Sequence, residues 1–174
     1  MEGPKRIWWV RPRKLCALER PGGGGRSHRA ERREADIAYL KERGVRLVIS
    51  TMTTRHNLAA YDAAGLEWRH VPVASCAEGA PALEELLRIL RRELPRRGAV
   101  ALHGNRHTDW VAAVGAAHLH ATLGTPPASG LRAAAEAGLT VTEEAAALLG
   151  VPYEAVQPRS RMAAATSSGR SVTT

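Results

Sequence analysis

The alternation of apolar and polar positions predicts a chain of short strands and amphipathic helices. Two apolar runs, Ile7–Val10 and Leu15–Leu18, have strand length, and the segment Pro21-Gly22-Gly23-Gly24-Gly25 that follows cannot continue any regular element cheaply. Between Ala30 and Arg43 the apolar positions Ala35, Ile37, Ala38 and Leu40 fit one face of a helix, with Gly44 placed for a left-handed helix end. Val45–Ser50 then reads as a buried strand, Asn57–Ala64 as a short helix closed by Gly65, and Leu66–Val73 as a further strand. Leu83, Leu86, Leu87, Leu90 and Leu94 share one side of a helix over Ala82–Leu94. Ala99–Leu102 is a short apolar strand, the polar segment His103–Asp109 follows it, and Trp110–Leu123 is a helix of small residues suited to the centre of the packing. Two more helices fit Ser129–Ala137 and Thr142–Leu149, the second opened by Thr142 with Glu143 and Glu144 in its first turn.

Strands that alternate with helices imply an α/β domain with a central, mainly parallel sheet flanked by helices. The 174 residues suit one domain, expected over residues 1–157, with residues 158–174 a disordered tail of Ser, Thr, Ala and Arg without periodicity. No apolar run approaches the roughly eighteen residues of a membrane span, and the start of the chain lacks the pattern of a signal peptide. Cys16 and Cys76 match no metal or redox spacing, so two free thiols in a reducing compartment are expected, and the expected location is cytoplasmic.

The net charge of +8 rests mostly on Arg, and abundant Ala, Arg and Gly with no Phe suggests a GC-rich bacterial source. The cations gather in the Gly-rich segment, on the helix around Arg88–Arg97 and in the tail. No aromatic residues interleave with them, so solvated faces are expected and a nucleic-acid partner is not.

The strand, polar loop and helix from Val100 to Val111 run Val-Ala-Leu-His-Gly-Asn-Arg-His-Thr-Asp-Trp-Val. This segment resembles the signature of the cysteine-dependent protein phosphatases of the dual-specificity and tyrosine type: His-Cys, five residues, Arg, then Ser or Thr, between a buried strand and a central helix. The likeness continues through Val114–Leu119, and it extends to Leu15–Pro21, Leu40–Ile49, His70–Val73 and Leu139–Leu149. It implies a dual-specificity phosphatase-like fold.

The same resemblance implies that the parent chemistry is lost. The position of the nucleophilic thiolate holds Gly104, and that of the phosphate-gripping arginine holds Trp110, which offers one N–H and no charge. The general-acid aspartate falls near Ser75, with Cys76 beside it as an outside candidate for a substitute nucleophile. What remains is a loop of polar groups. His107, Asp109 and Arg106 are the candidate catalytic residues for acid/base work, and His103, Gly104, Asn105, Thr108, Trp110, Ser75 and Cys76 are candidates for holding a substrate. Thr51–Arg55, Ser75–Glu78 and His28 are expected at the rim. A plainer alternative has His107 and Asp109 capping the helix, Trp110 filling space, and His103 hydrogen-bonding the loop.

Two functions are compatible with this loop. One is a repurposed small-molecule enzyme performing cyclisation, isomerisation or elimination in a bacterial biosynthetic pathway, without cofactor or metal. The other is a non-catalytic pseudophosphatase that binds an anionic ligand or a phosphorylated or acidic protein partner.

Overall fold

The computed structural model describes residues 2–157. The tail expected from Pro158 onward lies outside the described residues. Five strands form one sheet: β1 (Ile7–Arg11), β2 (Leu15–Leu18), β3 (Val45–Ser50), β4 (Glu67–His70) and β5 (Ala99–His103). Their order is β1-β2-β5-β3-β4, with β1 antiparallel to β2 and every other pairing parallel. The expected α/β architecture with a mainly parallel sheet is therefore present.

The strands β2 and β5 are buried at every residue, the pattern of central strands covered on both faces. Side-chain alternation sorts their residues between two cores. Leu15, Ala17, Leu47, Ile49, Val100 and Leu102 face one core, and Cys16, Leu18, Val48, Ala99 and Ala101 face the other. Helices α1 (Ala30–Glu42) and α2 (Leu58–Ala63) cover the second face through Ile37, Leu40, Leu58 and Tyr61. Helices α3 (Ala80–Glu93), α4 (Asp109–Leu123), α5 (Pro127–Glu136) and α6 (Glu143–Leu148) cover the first. Leu83, Leu86 and Leu90 of α3 pack there, as the leucine spacing predicts.

Helix α4 is the most enclosed, since Trp110 to Ala116 are all buried. Small residues make that possible, because the helix must approach both α5 and the β1–β2 edge. At Gly115 an added Cβ would lie 2.5 Å from Cζ3 of Trp8 and 2.9 Å from Cγ2 of Val10, and at Gly130 on α5 it would lie 2.8 Å from Cβ of Ala116. The helix begins one residue earlier than the polarity pattern suggests, with Asp109 already in its first turn.

These approaches set a packing limit. Gly115→Val gains helix propensity of a few tenths of a kcal/mol but overpacks a filled site, and overpacking of this kind costs about 1–3 kcal/mol. Urea unfolding should show a lower midpoint with an unchanged slope. An unchanged midpoint would mean that Trp8 can leave its position against α4.

Candidate active site

The polar loop stands at the C-terminal end of β5, where the parallel strands β3, β4 and β5 all finish, the edge at which open α/β sheets place ligands. Its base is His103, which is fully buried. The ring Nδ1–H donates to the carbonyl of Gly104 at 2.8 Å, which makes Nε2 the acceptor for the Tyr61 hydroxyl, also at 2.8 Å. The His103 carbonyl accepts from both the amide and the hydroxyl of Thr51, each at 2.9 Å. Burial holds the imidazole down at a pKa of about 4, against which the Gly104 hydrogen bond works only partly, and Arg20 and His70 add to the depression. The neutral ring is thus a fixed structural joint. His103 is corrected from a substrate contact to a positioning residue, because its ring nitrogens are both engaged beneath the loop.

Other ties hold the loop from two sides. The Asn105 carboxamide accepts from the Gly25 amide at 3.3 Å, and Gly24 lies so close to the backbone of Arg106 that any side chain there would collide with it. Behind the loop, Thr108 Oγ1 accepts from the Thr140 amide at 2.8 Å. Thr108 is fully buried and serves this tie rather than a ligand.

Asp109 is tied to two segments distant in the chain. Its Oδ2 accepts from the Thr142 hydroxyl at 3.0 Å and from the Cys76 thiol at 3.5 Å. Both donors use the same oxygen, and Oδ1 has no hydrogen bond among the described residues. Cys76 is corrected from a candidate nucleophile to a hydrogen-bond donor: burial, then the charge of Asp109 and the bond to it, push the thiol up to about 12. Neither His107 nor Asp109 caps the helix. Thr108 occupies the cap position without a side-chain bond, and the Asp109 carboxylate is turned to Thr142 and Cys76.

A cavity of about 170 Å³ lies above this arrangement. Gly104, Asn105, His107, Asp109 and Trp110 line it from the loop, Thr51, Met52 and Thr53 from the end of β3, and Val73, Ala74 and Ser75 from the segment after β4. Of the residues that the sequence singles out, Ser75, Gly104, Asn105, His107, Asp109 and Trp110 line this cavity. His103, Thr108 and Cys76 do not line it, and neither does Arg106, whose side chain runs along the Gly-rich segment at Gly24 and Gly25. Arg55 stacks over Trp68, 5.5 Å from the ring centre, and His28 lies against Gly22 instead of at the rim. Sequence reasoning missed one partner, Thr142, whose only visible signal was its place at the start of α6.

Gly104 has no positive φ, and a Cβ there would meet its neighbours no closer than 3.3 Å. The backbone dihedral thus does not demand glycine, while the nearby His107 carbonyl leaves a Cβ a tight fit. Trp110 is only 5% exposed, its ring pressed on Gly79 at the start of α3 and its indole N–H buried without a partner among the described residues. Trp110 thus gives the cavity an apolar wall. Among the described residues that line the cavity none is Lys or Arg, and among the described residues no group of three or more His, Cys, Asp or Glu is placed to hold a metal.

Comparison with known folds agrees with this layout. The crystal structure of Tk-PTP in its active form superposes with a TM-score of 0.63 at 17% identity, over 87% of this chain and 96% of that one. P. aeruginosa TpbA gives 0.64 at 17% identity over 86% of each chain, and human DUSP28 gives 0.62 at 19% over 84% and 91%. The chain has the fold of the dual-specificity and tyrosine phosphatases. No family model and no curated protein matches its sequence.

Two measurements check the electrostatics. The native His103 ring takes a proton less readily than an unfolded histidine of pKa 6.5, so stability should fall as pH drops from 6.5 towards 4, by about 3 kcal/mol in the limit. His103→Gln should flatten that dependence while lowering stability at neutral pH, and an equally steep dependence in the variant would assign it to other groups. For Cys76, alkylation at mildly alkaline pH should be slow in the native protein and several-fold faster in Asp109→Asn. Equal rates would show that the carboxylate does not govern the thiol.

Proposed function

We propose that this phosphatase-fold chain is an enzyme of a different class, one that performs acid/base chemistry on a small molecule in the cavity beneath the altered loop. The observation that carries this reading is the convergence of His107 and Asp109 on one small cavity that also holds the Trp110 face and no Lys or Arg. A phosphoryl dianion would meet the Asp109 carboxylate without a compensating guanidinium, which is unfavourable in a partly enclosed site. A neutral polar substrate fits better. The hydroxyls of Thr51, Thr53 and Ser75 and the Asn105 carboxamide supply orienting hydrogen bonds, and Met52, Val73 and Trp110 supply an apolar surface.

The roles follow from position. Asp109, held by Thr142 and Cys76, serves as the fixed acceptor for a substrate proton, while His107, exposed at the mouth, exchanges protons with solvent. No side chain forms a covalent intermediate in this scheme. Isomerisation, cyclisation and elimination all proceed by such proton transfers, and a biosynthetic setting in a bacterium suits them.

A second reading, a non-catalytic protein that binds an acidic or phosphorylated partner, draws on the exposed Arg26, Arg29 and Arg106 beside the mouth. It needs the cavity itself for nothing. The two readings part in a turnover assay with a small-molecule extract followed by mass spectrometry. The enzyme predicts consumption of a compound that drops at least a hundredfold in Asp109→Asn and strongly in His107→Ala. Turnover unchanged in both variants would exclude the assigned roles. Gly104→Cys should fold once the His107 carbonyl gives by a few tenths of an ångström, yet leave p-nitrophenyl phosphate intact because the wall at Trp110 cannot hold the phosphoryl oxygens. Hydrolysis by the unaltered protein that survives further purification would overturn the proposal outright.

A further inference from the structure

A larger cavity, of about 470 Å³, lies at the opposite end of the sheet. Arg11 at the end of β1 and Lys14 at the start of β2 form one wall, and Lys14 stands one residue before the register pair Leu15 and Val100 at the start of β5. The loop cavity begins where β5 ends, so four residue steps of strand, about 13 Å at 3.3 Å per step, separate the two sites. The facing wall is the C-terminal part of α3, through Leu90, Arg91 and Leu94, continued by Pro95. His118 of α4 closes the base.

The chemistry of this cavity is one-sided. Arg11, Lys14 and Arg91 contribute three cations, and none of the described residues lining it is a carboxylate. Lys14 donates one proton to the carbonyl of Arg96 at 3.3 Å and keeps two others. His118 is only 3% exposed, and its Nε2 is buried with no hydrogen-bond partner among the described residues. An unpartnered polar atom at that depth is costly, and it marks the packing under the cavity floor as strained in polarity. Burial, and after it the Arg11 guanidinium, hold this imidazole below its usual pKa, so the ring is neutral at neutral pH. Leu90, Leu94 and Pro95 meanwhile leave an apolar surface beside the cations. The volume lies in the range of small-molecule sites.

We propose that this cavity is a second ligand site, separate from the loop, that binds a small organic phosphate monoester. The dianionic head sits among Arg11, Lys14 and Arg91, above the His118 ring at the base, and the apolar body lies on Leu90, Leu94 and Pro95. Arginine favours such a head because its planar fork matches phosphate oxygens in pairs. A dianion matches three facing cations better than a carboxylate does. The apolar floor distinguishes an ester from free phosphate.

The test uses the full chain with phenyl phosphate as probe, beside inorganic phosphate and benzoate, with binding read by calorimetry and the His118 ring read by nitrogen-15 NMR. Phenyl phosphate should bind at one saturable site, more tightly than either of the other two, and shift the His118 resonances. Arg11→Glu and Arg91→Glu, both at surface positions, should each weaken it about tenfold or more, while Asp109→Asn in the loop should leave it unchanged. Equal binding in the two arginine variants, resonance shifts confined to residues 104–110, or benzoate binding as tightly as phenyl phosphate would overturn the proposal. So would inorganic phosphate that matches the ester, since the apolar floor would then contribute nothing.

Discussion

The loop rests on one buried joint, the neutral imidazole of His103. It accepts a hydrogen bond from the Tyr61 hydroxyl on one side and donates one to the Gly104 carbonyl on the other, so strand β5, helix α2 and the loop are locked in one hydrogen-bonded line. A buried ring with both nitrogens engaged fixes the direction in which the chain leaves the sheet. Everything that lines the cavity from residue 104 onward takes its position from that exit. The ties at Asn105 and Thr108 then hold the loop laterally, towards the Gly-rich segment and towards the connection between α5 and α6.

This separation of scaffold from chemistry explains how the fold can persist with a different loop. His103, Thr51 and Thr108 spend their hydrogen bonds on shape, and none of those bonds depends on a cysteine at 104 or an arginine at 110. Trp110 adds a structural function of its own by pressing on Gly79, so the start of α3 is set by the residue that stands where a charged fork is expected. The Trp110 ring thus serves both the packing of α3 and one wall of the loop cavity.

The elements were legible because each carries its own period. Strand and helix limits read from polarity fall within a few residues of those observed, and the buried strands β2 and β5 stand out as continuous apolar runs. The site was legible in part, since Gly104, Asn105, His107, Asp109 and Trp110 follow one another along the chain and the loop carries all five to one cavity. Contacts between distant segments were not. The Thr142 hydroxyl reaches Asp109 across 33 residues through the packing of α6 on α4, and no local pattern encodes that. Arg106 shows the converse failure: adjacent in sequence to the right residues, it points along the loop because Gly24 gives it room. The distal cavity draws on β1, β2, α3 and α4, each unremarkable alone.

The two cavities divide the charge of the molecule between them. A +8 chain would be expected to surround any anion site with cations, yet the loop cavity has a carboxylate at its floor and no Lys or Arg among its described lining residues. The cations collect at the other end of the same strands, around an unpartnered imidazole. In a partly enclosed space the field of the nearest charges outweighs that of the whole surface, because screening by water and salt removes distant terms first. Among their described lining residues, the loop cavity therefore offers a carboxylate and no cation, whereas the distal cavity offers three cations and no carboxylate, so the two ends of the sheet present opposite local fields within one basic protein.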